Sequence, residues 1–461
     1  MSRLIVVSNR VAVPRATQPA PGGLATGILS ALRESGGGVW LGWNGRHTRQ
    51  PSDEIEIYRD GDISFATLTL STEDYRDYYQ GFANRVLWPL LHYRMHLLHY
   101  ERRFAQGYRR VNAWFADKLM DMLGDDDLIW VHDYHLIPLA AELRARGARH
   151  KIGFFLHTPF PPFDVFRALP DYGDFLQWLS EYNLVGFQTT LDLENFLDSM
   201  KIGLRAKVTP QLVATVDHRQ VHTGVFPVGI DVDQVTEQAA TGRESRRGQR
   251  LLESLENRKQ IIGVDRLDYS KGLVQRFHAY RRMLETYPDL RGNVVLTQIA
   301  QPSRSDVPEY QEIRQQLDAT AGEIIGRFAN YNWTPIRYLG RSFARPRVLG
   351  FLAISRVGLV TPLRDGMNLV AKEYIAAQNP EDPGVLVLSR LAGAAEELDG
   401  AVLVDPYDID GIADTLAWAL AMPLDERRDR WTRMMKRIRE HDITAWRESY
   451  LSHLRACPAY V

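Results

Sequence analysis

A chain of 461 residues with 45% hydrophobic content can bury two full cores, and its length points to two or three domains. Its 56 Lys and Arg nearly cancel its 57 Asp and Glu, which excludes a general pull toward nucleic acid or an anionic membrane, so any anion site must be local. The lone Cys457 excludes an internal disulfide and no apolar run reaches the roughly 18 residues of a membrane span, so a cytoplasmic protein is expected.

The run Leu4–Ser8 is too short for a signal peptide and reads as an opening strand. Asn9-Arg10 follow it, and Pro21-Gly22-Gly23-Leu24 then lead into a helix over Ile28–Leu32. A glycine pair before a helix lets a phosphate approach backbone N–H groups, although a plain flexible turn is the alternative. The gap between strand and glycines is too long for a dinucleotide fingerprint, which argues against a nicotinamide enzyme. Over Val111–Leu123 a helical period places Val111, Trp114, Phe115 and Leu119 on one face. Strands are expected at Leu128–His132, Ile152–His157, Leu184–Gln188 and Val221–Val228. Two of them end in His132-Asp133-Tyr134-His135 and His157-Thr158-Pro159, so imidazoles and a carboxylate should meet at the strand ends of one domain. No third ligand at helical or loop spacing makes these a zinc site. The stretch Gly203–Arg219 carries no recognisable motif.

Asp231-Val232-Asp233 mimics the paired aspartates of a phosphatase, but a charged stretch follows instead of the expected Lys and acidic site, so it reads as a helix start. Thr236–Gln260 is charged and poor in large apolar residues, which predicts a surface connection and sets the domains at 1–236 and 237–461, with the final helix a candidate to pack back on the first. The second domain should hold strands at Ile261–Val264, Val294–Ile299, Ile336–Leu339, Gly358–Thr361, Val385–Leu388 and Val402–Val404, each trailed by a helix. The fold class is therefore α/β, with two doubly wound domains and the polar strand ends collected in a cleft. Val264–Gly272 joins a strand to a helix with Arg266 and Lys271 five residues apart, a loop that can hold a diphosphate or be a salt-bridged turn with Asp265 and Asp268. Arg304 is a further anion ligand candidate. Thr361–Glu373 joins an apolar strand to a helix starting near Asn368, with Asp365 and Glu373 at the two ends of a space of sugar-nucleotide size.

Val7-Ser8-Asn9-Arg10, Gly22-Gly23-Leu24, Tyr78-Tyr79, Val86-Leu87-Trp88-Pro89, Trp130 through Leu136, Gly153 through His157, Asp265 through Gly272 and Thr361 through Tyr374 together resemble family 20 of the glycosyltransferases, the trehalose-6-phosphate synthase family. The resemblance covers essentially the whole chain and implies the GT-B fold. It also implies retaining transfer of glucose from a nucleoside diphosphate sugar, UDP-glucose by default, to glucose-6-phosphate. By that resemblance Arg10 and, from across the cleft, Arg304 hold the acceptor phosphate, while Tyr79, Trp88 and Asp133 shape its sugar pocket. Arg266, Lys271 and the amides at Gly22, Gly23, Leu369 and Val370 meet the donor diphosphate, the donor set running on through Ala371 and Lys372. Phe343 meets the base, Glu373 the ribose, and Asp365 and His157 the transferred glucose. No metal or other cofactor is implied, and the partners are small-molecule substrates, with no nucleic acid or membrane; dimeric or tetrameric assembly is left open. The rivals are a relative with another acceptor, such as a glucosylglycerol-phosphate synthase or a pseudo-glycosyltransferase, and an inactive sugar-phosphate sensor.

Overall fold

The computed structural model describes residues 3–11, 13, 23–304 and 307–460. The chain divides into a first unit, which runs to Pro227 and resumes at Thr444, and a second unit, Val228–Ile443.

The first unit contains β1 (Leu4–Arg10), β2 (Gly38–Thr48), β3 (Glu56–Asp60), β4 (Ile63–Ser71), β5 (Leu128–His132), β6 (Ile152–Phe155), β7 (Leu184–Phe187), β8 (Lys207–Val208), β9 (Val213–Val216) and β10 (Arg219–Val225). They form one sheet in the order β3-β4-β2-β1-β5-β6-β7-β10-β9-β8. From β4 to β10 neighbouring strands are parallel; β3, β9 and β8 extend the two edges antiparallel. The order reverses between β1 and β5, whose Ser8 and His132 are register partners, so ligand chemistry is expected beside these two strand ends. β2 to β4 are absent from the expected strands: Gly38, Gly42, Asn44 and Gly45 interrupt the apolar signal of β2 and every residue of β3 is exposed, whereas β4 is mostly buried and its apolar residues were passed over. The stretch Gly203–Arg219, without a motif, builds the β8–β9 edge.

In the second unit β11 (Lys259–Arg266), β12 (Val294–Gln301), β13 (Ile336–Leu339), β14 (Val357–Val360), β15 (Val385–Ser389) and β16 (Val402–Val404) make an all-parallel sheet in the order β13-β12-β11-β14-β15-β16. Numbered from β11, this is the 3-2-1-4-5-6 order of a doubly wound dinucleotide-binding sheet, with its switch point between β11 and β14. Both faces are covered. Ile261, Val357, Leu359, Val385 and Val387 enter one core, and Ile262, Val360, Leu386 and Leu388 the other. Burial on both sides is why these strands read as unbroken apolar runs.

Two expectations change. The units exchange at Pro227 and Val228 rather than at residue 236, and the expected surface connection is two helices, Val232–Glu244 and Arg246–Leu255. Asp231 caps the first of these by accepting from the Gln234 amide at 2.9 Å, as its reading as a helix start requires. Val232, Val235 and Ala239 then join the second unit's core, and Gly242 lies so close to the helix Arg345–Ile354 that a Cβ there would strike the Pro346 carbonyl. The 232, 235, 239, 242 spacing was the helical signal, hidden by the charged residues of the exposed face. From Thr444 onward, the helix Ile443–Ala456 belongs to the first unit, where the Tyr450 hydroxyl donates to the Phe154 carbonyl at 3.0 Å. No described helix is long and apolar enough to cross a membrane.

Candidate active site

In the first unit the end of β1 is tied to the helix that follows β4. The Tyr78 hydroxyl donates to Asn9 Oδ1 at 2.8 Å, and Tyr78 lies on a π-helix, Tyr75–Leu87. Such wide winding is rare and recurs at functional sites. It presents Tyr79 to Trp43 (centroids 5.1 Å apart) and to His135 (6.1 Å). The ring contacts continue from His135 to Tyr134 (4.0 Å) and on to Trp88 (5.8 Å). Arg10 joins the other end of this wall, its guanidinium 6.0 Å from the Trp43 ring centre. The structure thus brings Arg10, Tyr79 and Trp88 into one aromatic series and adds Trp43, Tyr134 and His135 to it. Trp43, the register partner of Arg10 in the middle of β2, is one residue the sequence reading missed; an aromatic closing the apolar run 39–43 was its only signal.

Asp133 follows β5 with φ +75° and ψ +164°, a conformation that costs a residue with a side chain on the order of 1–3 kcal/mol. Its amide donates to the Phe155 carbonyl at 2.8 Å and its Oδ1 accepts from the His157 amide at 3.3 Å, so the ends of β5 and β6 are locked together. Beside this lock His132 Nδ1 lies 3.0 Å from His157 Nε2. Burial pushes the His157 imidazole down to about 3, and burial together with His157 pushes His132 well below the ordinary range, so both rings are neutral near pH 7. Gly22 lies outside the described residues, and Gly23 opens the helix Gly23–Glu34.

In the second unit the loops after β11 and β14 meet at the switch point. Lys271 Nζ donates to Asp365 Oδ2 at 2.5 Å, and Asn368 Nδ2 donates to the same oxygen at 2.9 Å. Asn368, with φ +79°, caps the helix Leu369–Ala377 by accepting from the Ala371 amide at 3.3 Å. The Leu369 and Val370 amides belong to the first turn, which has no intrahelical acceptors, and they carry the positive end of the helix dipole. The whole arrangement hangs on Arg276, which the sequence reading did not single out. It is fully buried and donates to Asp265 at 2.5 Å, Gln298 at 2.8 Å, Thr361 Oγ1 at 3.1 Å and the Lys271 carbonyl at 3.4 Å. Gly272 permits the close approach of the two loops: its φ is +65°, and a Cβ there would strike the Thr361 carbonyl.

Arg266 ends β11 exposed, while Asp268 behind it is buried. Burial alone would raise the Asp268 carboxyl; Arg304, Arg266 and Lys271, with the Ser270 amide, overcome this and hold it at about 2. Arg304 donates to the Tyr310 hydroxyl at 2.5 Å and lies 3.6 Å from Asp268, so it stands in the second unit, whereas Arg10, Tyr79, Trp88 and Asp133 stand in the first. Glu373 accepts from Arg345 at 2.9 Å, and burial raises its carboxyl above the ordinary value against the opposing pull of Arg345. Phe343 lies edge-on to Phe351 at 5.9 Å, with Arg341 and Arg347 over its ring.

Two residues of the expected donor set have partners within the second unit. The Ala371 amide is taken by its cap, and the Lys372 side chain is turned into the core, where its ammonium donates to Glu397 at 2.5 Å and to the Val228 carbonyl at 2.8 Å. Lys372 is one turn past the helix start on the face that packs inward, which a strand-to-helix motif alone does not reveal. Among the described residues no group of three or more His, Cys, Asp or Glu is placed to hold a metal ion.

The family model for glycosyltransferase family 20 matches residues 3–456. A trehalose-6-phosphate synthase of Enterobacter sp. is 48% identical over 455 residues, covering 99% of this chain and 95% of that protein. The solved structure of an α,α-trehalose-phosphate synthase (UDP-forming) from Burkholderia xenovorans in complex with glucose-6-phosphate is 47% identical, covers 99% of this chain and 100% of its own, and superposes with a TM-score of 0.95. An E. coli structure bound with UDP-2-fluoro glucose gives the same identity, coverage and TM-score. The chain belongs to glycosyltransferase family 20, and its two Rossmann-like units are those of the GT-B fold.

Proposed function

We propose that this family 20 glycosyltransferase moves glucose from UDP-glucose to glucose-6-phosphate with retention, releasing UDP and α,α-trehalose-6-phosphate. The observation that carries the reading is the Lys271–Asp365 pair at the switch point of β11 and β14, beside the first turn of the helix Leu369–Ala377. A retaining transfer without a covalent enzyme intermediate needs stabilisation of the charge that grows on the departing diphosphate. Lys271 and the Leu369 and Val370 amides are donors of that kind held by the fold, and Arg266 adds a cation at the end of β11. The leaving diphosphate takes the acceptor hydroxyl's proton, so no side chain is required as a base. Asp365 holds hydroxyls of the transferred glucose, His157 holds one of its oxygens, Glu373 the ribose and Phe343 the base. Arg10 and Arg304 serve the acceptor phosphate, and Tyr79, Trp88 and Asp133 its sugar.

The reading includes metal-independent turnover in the cytoplasm on small-molecule substrates. The test supplies UDP-, GDP- and ADP-glucose with glucose-6-phosphate, and measures nucleoside diphosphate release and the anomeric configuration of the product by NMR. UDP release with an α,α-linked disaccharide phosphate is expected, undiminished by EDTA. No release with any donor would leave the sensor alternative, and release only with other acceptors would select a relative of different specificity.

A further inference from the structure

We infer that His132 is a positioning residue whose Nδ1–H fixes His157 as a neutral hydrogen-bond donor through Nδ1. The two rings are joined by a 3.0 Å contact between His132 Nδ1 and His157 Nε2, and a single proton must lie in it. If that proton is on His157, His132 must carry its own on Nε2. His132 Nε2 is buried and has no hydrogen-bond partner. The ring's aromatic neighbours are Trp130 at 4.4 Å, Phe155 at 6.4 Å and Trp446 at 6.4 Å. The polar atoms these bring are indole N–H groups, donors only: that of Trp130 is directed to the Tyr450 hydroxyl and that of Trp446 is buried without an acceptor, so neither ring offers His132 Nε2 an acceptor. A proton on His132 Nε2 would be a buried donor with no acceptor in reach, the costlier arrangement, since buried N–H groups without acceptors are the rarest of unsatisfied polar groups. A bare lone pair on His132 Nε2 leaves no N–H of this ring without an acceptor. The His132 proton then sits on Nδ1 and is donated to His157 Nε2, which places the His157 proton on Nδ1.

The backbone fixes the pair from outside. β5 and β6 are register neighbours at His132 and Phe155, and the Asp133 carboxylate accepts the His157 amide, so neither ring can leave without disturbing the β5–β6 ends. His157 can therefore donate to a sugar oxygen but cannot act there as a base. That last step rests on the function proposed above; the tautomer itself does not.

The test is ¹⁵N NMR of the full chain with labelled histidine, the His157 signals being assigned by their loss in His157→Asn. The expected result for the unliganded protein is a protonated Nδ1 and a bare Nε2 on His157, unchanged between about pH 5.5 and 8. His132→Asn keeps an N–H near the Nδ1 position and should preserve that pattern and turnover within about 3-fold. His132→Leu removes it and should give mixed tautomers, with kcat down roughly 10-fold and KM for glucose-6-phosphate little changed. A His157 proton on Nε2 in the parent overturns the inference, and so does a His132→Leu protein with unchanged His157 signals. If His132→Leu fails to fold, the parent spectrum and His132→Asn decide. An inactive parent with the expected spectrum would overturn the function and leave the tautomer standing.

Discussion

Substituting both members of the Lys271–Asp365 pair, singly and together, separates a structural clamp from a reaction centre. The two side chains are 11% and 13% exposed, so the pair is mostly dry. Removing one member of a wholly buried pair costs about 3–5 kcal/mol, because the other charge is left behind. Residual water and the Asn368 amide on the same Asp365 oxygen lower the expectation to about 2–3 kcal/mol for Lys271→Met, with a similar loss for Asp365→Asn. The double variant leaves neither member of the pair charged, and Asp268 keeps Arg304 and Arg266, so it should return to within about 1 kcal/mol of the parent, a coupling visible in urea denaturation. Turnover should follow a different arithmetic. Lys271→Met withdraws a cation from the leaving diphosphate, about 3 kcal/mol in the barrier or roughly 10²-fold in kcat. Asp365→Asn withdraws an acceptor from the transferred sugar, so the double variant should be at least as slow as the slower single one when UDP release is followed. A double variant that recovers turnover along with stability would show that the pair is only a clamp.

Arg276→Met should be among the most destabilising single changes in the second unit, about 3–5 kcal/mol by thermal or urea unfolding, because it leaves the buried Asp265 and Gln298 without their donor. Gly272→Ala must hold φ +65° and drive a methyl into the Thr361 carbonyl, and a loss of about 2–4 kcal/mol is expected in the same assay. His132 and His157 are held neutral in the fold, so below about pH 6.5 the unfolded chain binds protons that the folded chain does not, for His157 down to about pH 3. Stability should accordingly fall on acidification below about pH 6.5, by about 1.4 kcal/mol per pH unit for each histidine still neutral in the fold, and His132→Leu should remove one share of the slope measured between about pH 6.5 and 5.

The α/β class, all six strands of the second unit and the strand-end residues that carry polar chemistry were legible in the amino-acid order. They were so because a strand covered on both faces declares itself as a short apolar run closed by a polar or glycine-bearing loop, and that signal is local. The same order did not reveal the helices over 232–255, whose charged outer face hid a regular apolar spacing, nor β2 and β3, where glycines in the one and full exposure of the other masked the period; β4, with Ile63, Phe65, Leu68 and Leu70 buried, carried an apolar signal that was passed over. Tertiary structure alone decided the partnerships. Lys271 and Asp365 are 94 residues apart and meet only because β14 lies next to β11. His132 and His157 share a proton because β5 and β6 are neighbours, and Arg276 becomes an anchor because three strands converge on it. Lys372 was lost to the core for the same reason: the rotation of a helix about its axis is set by what it packs against, here Glu397 and the Val228 carbonyl, and no local pattern encodes a partner from elsewhere in the chain.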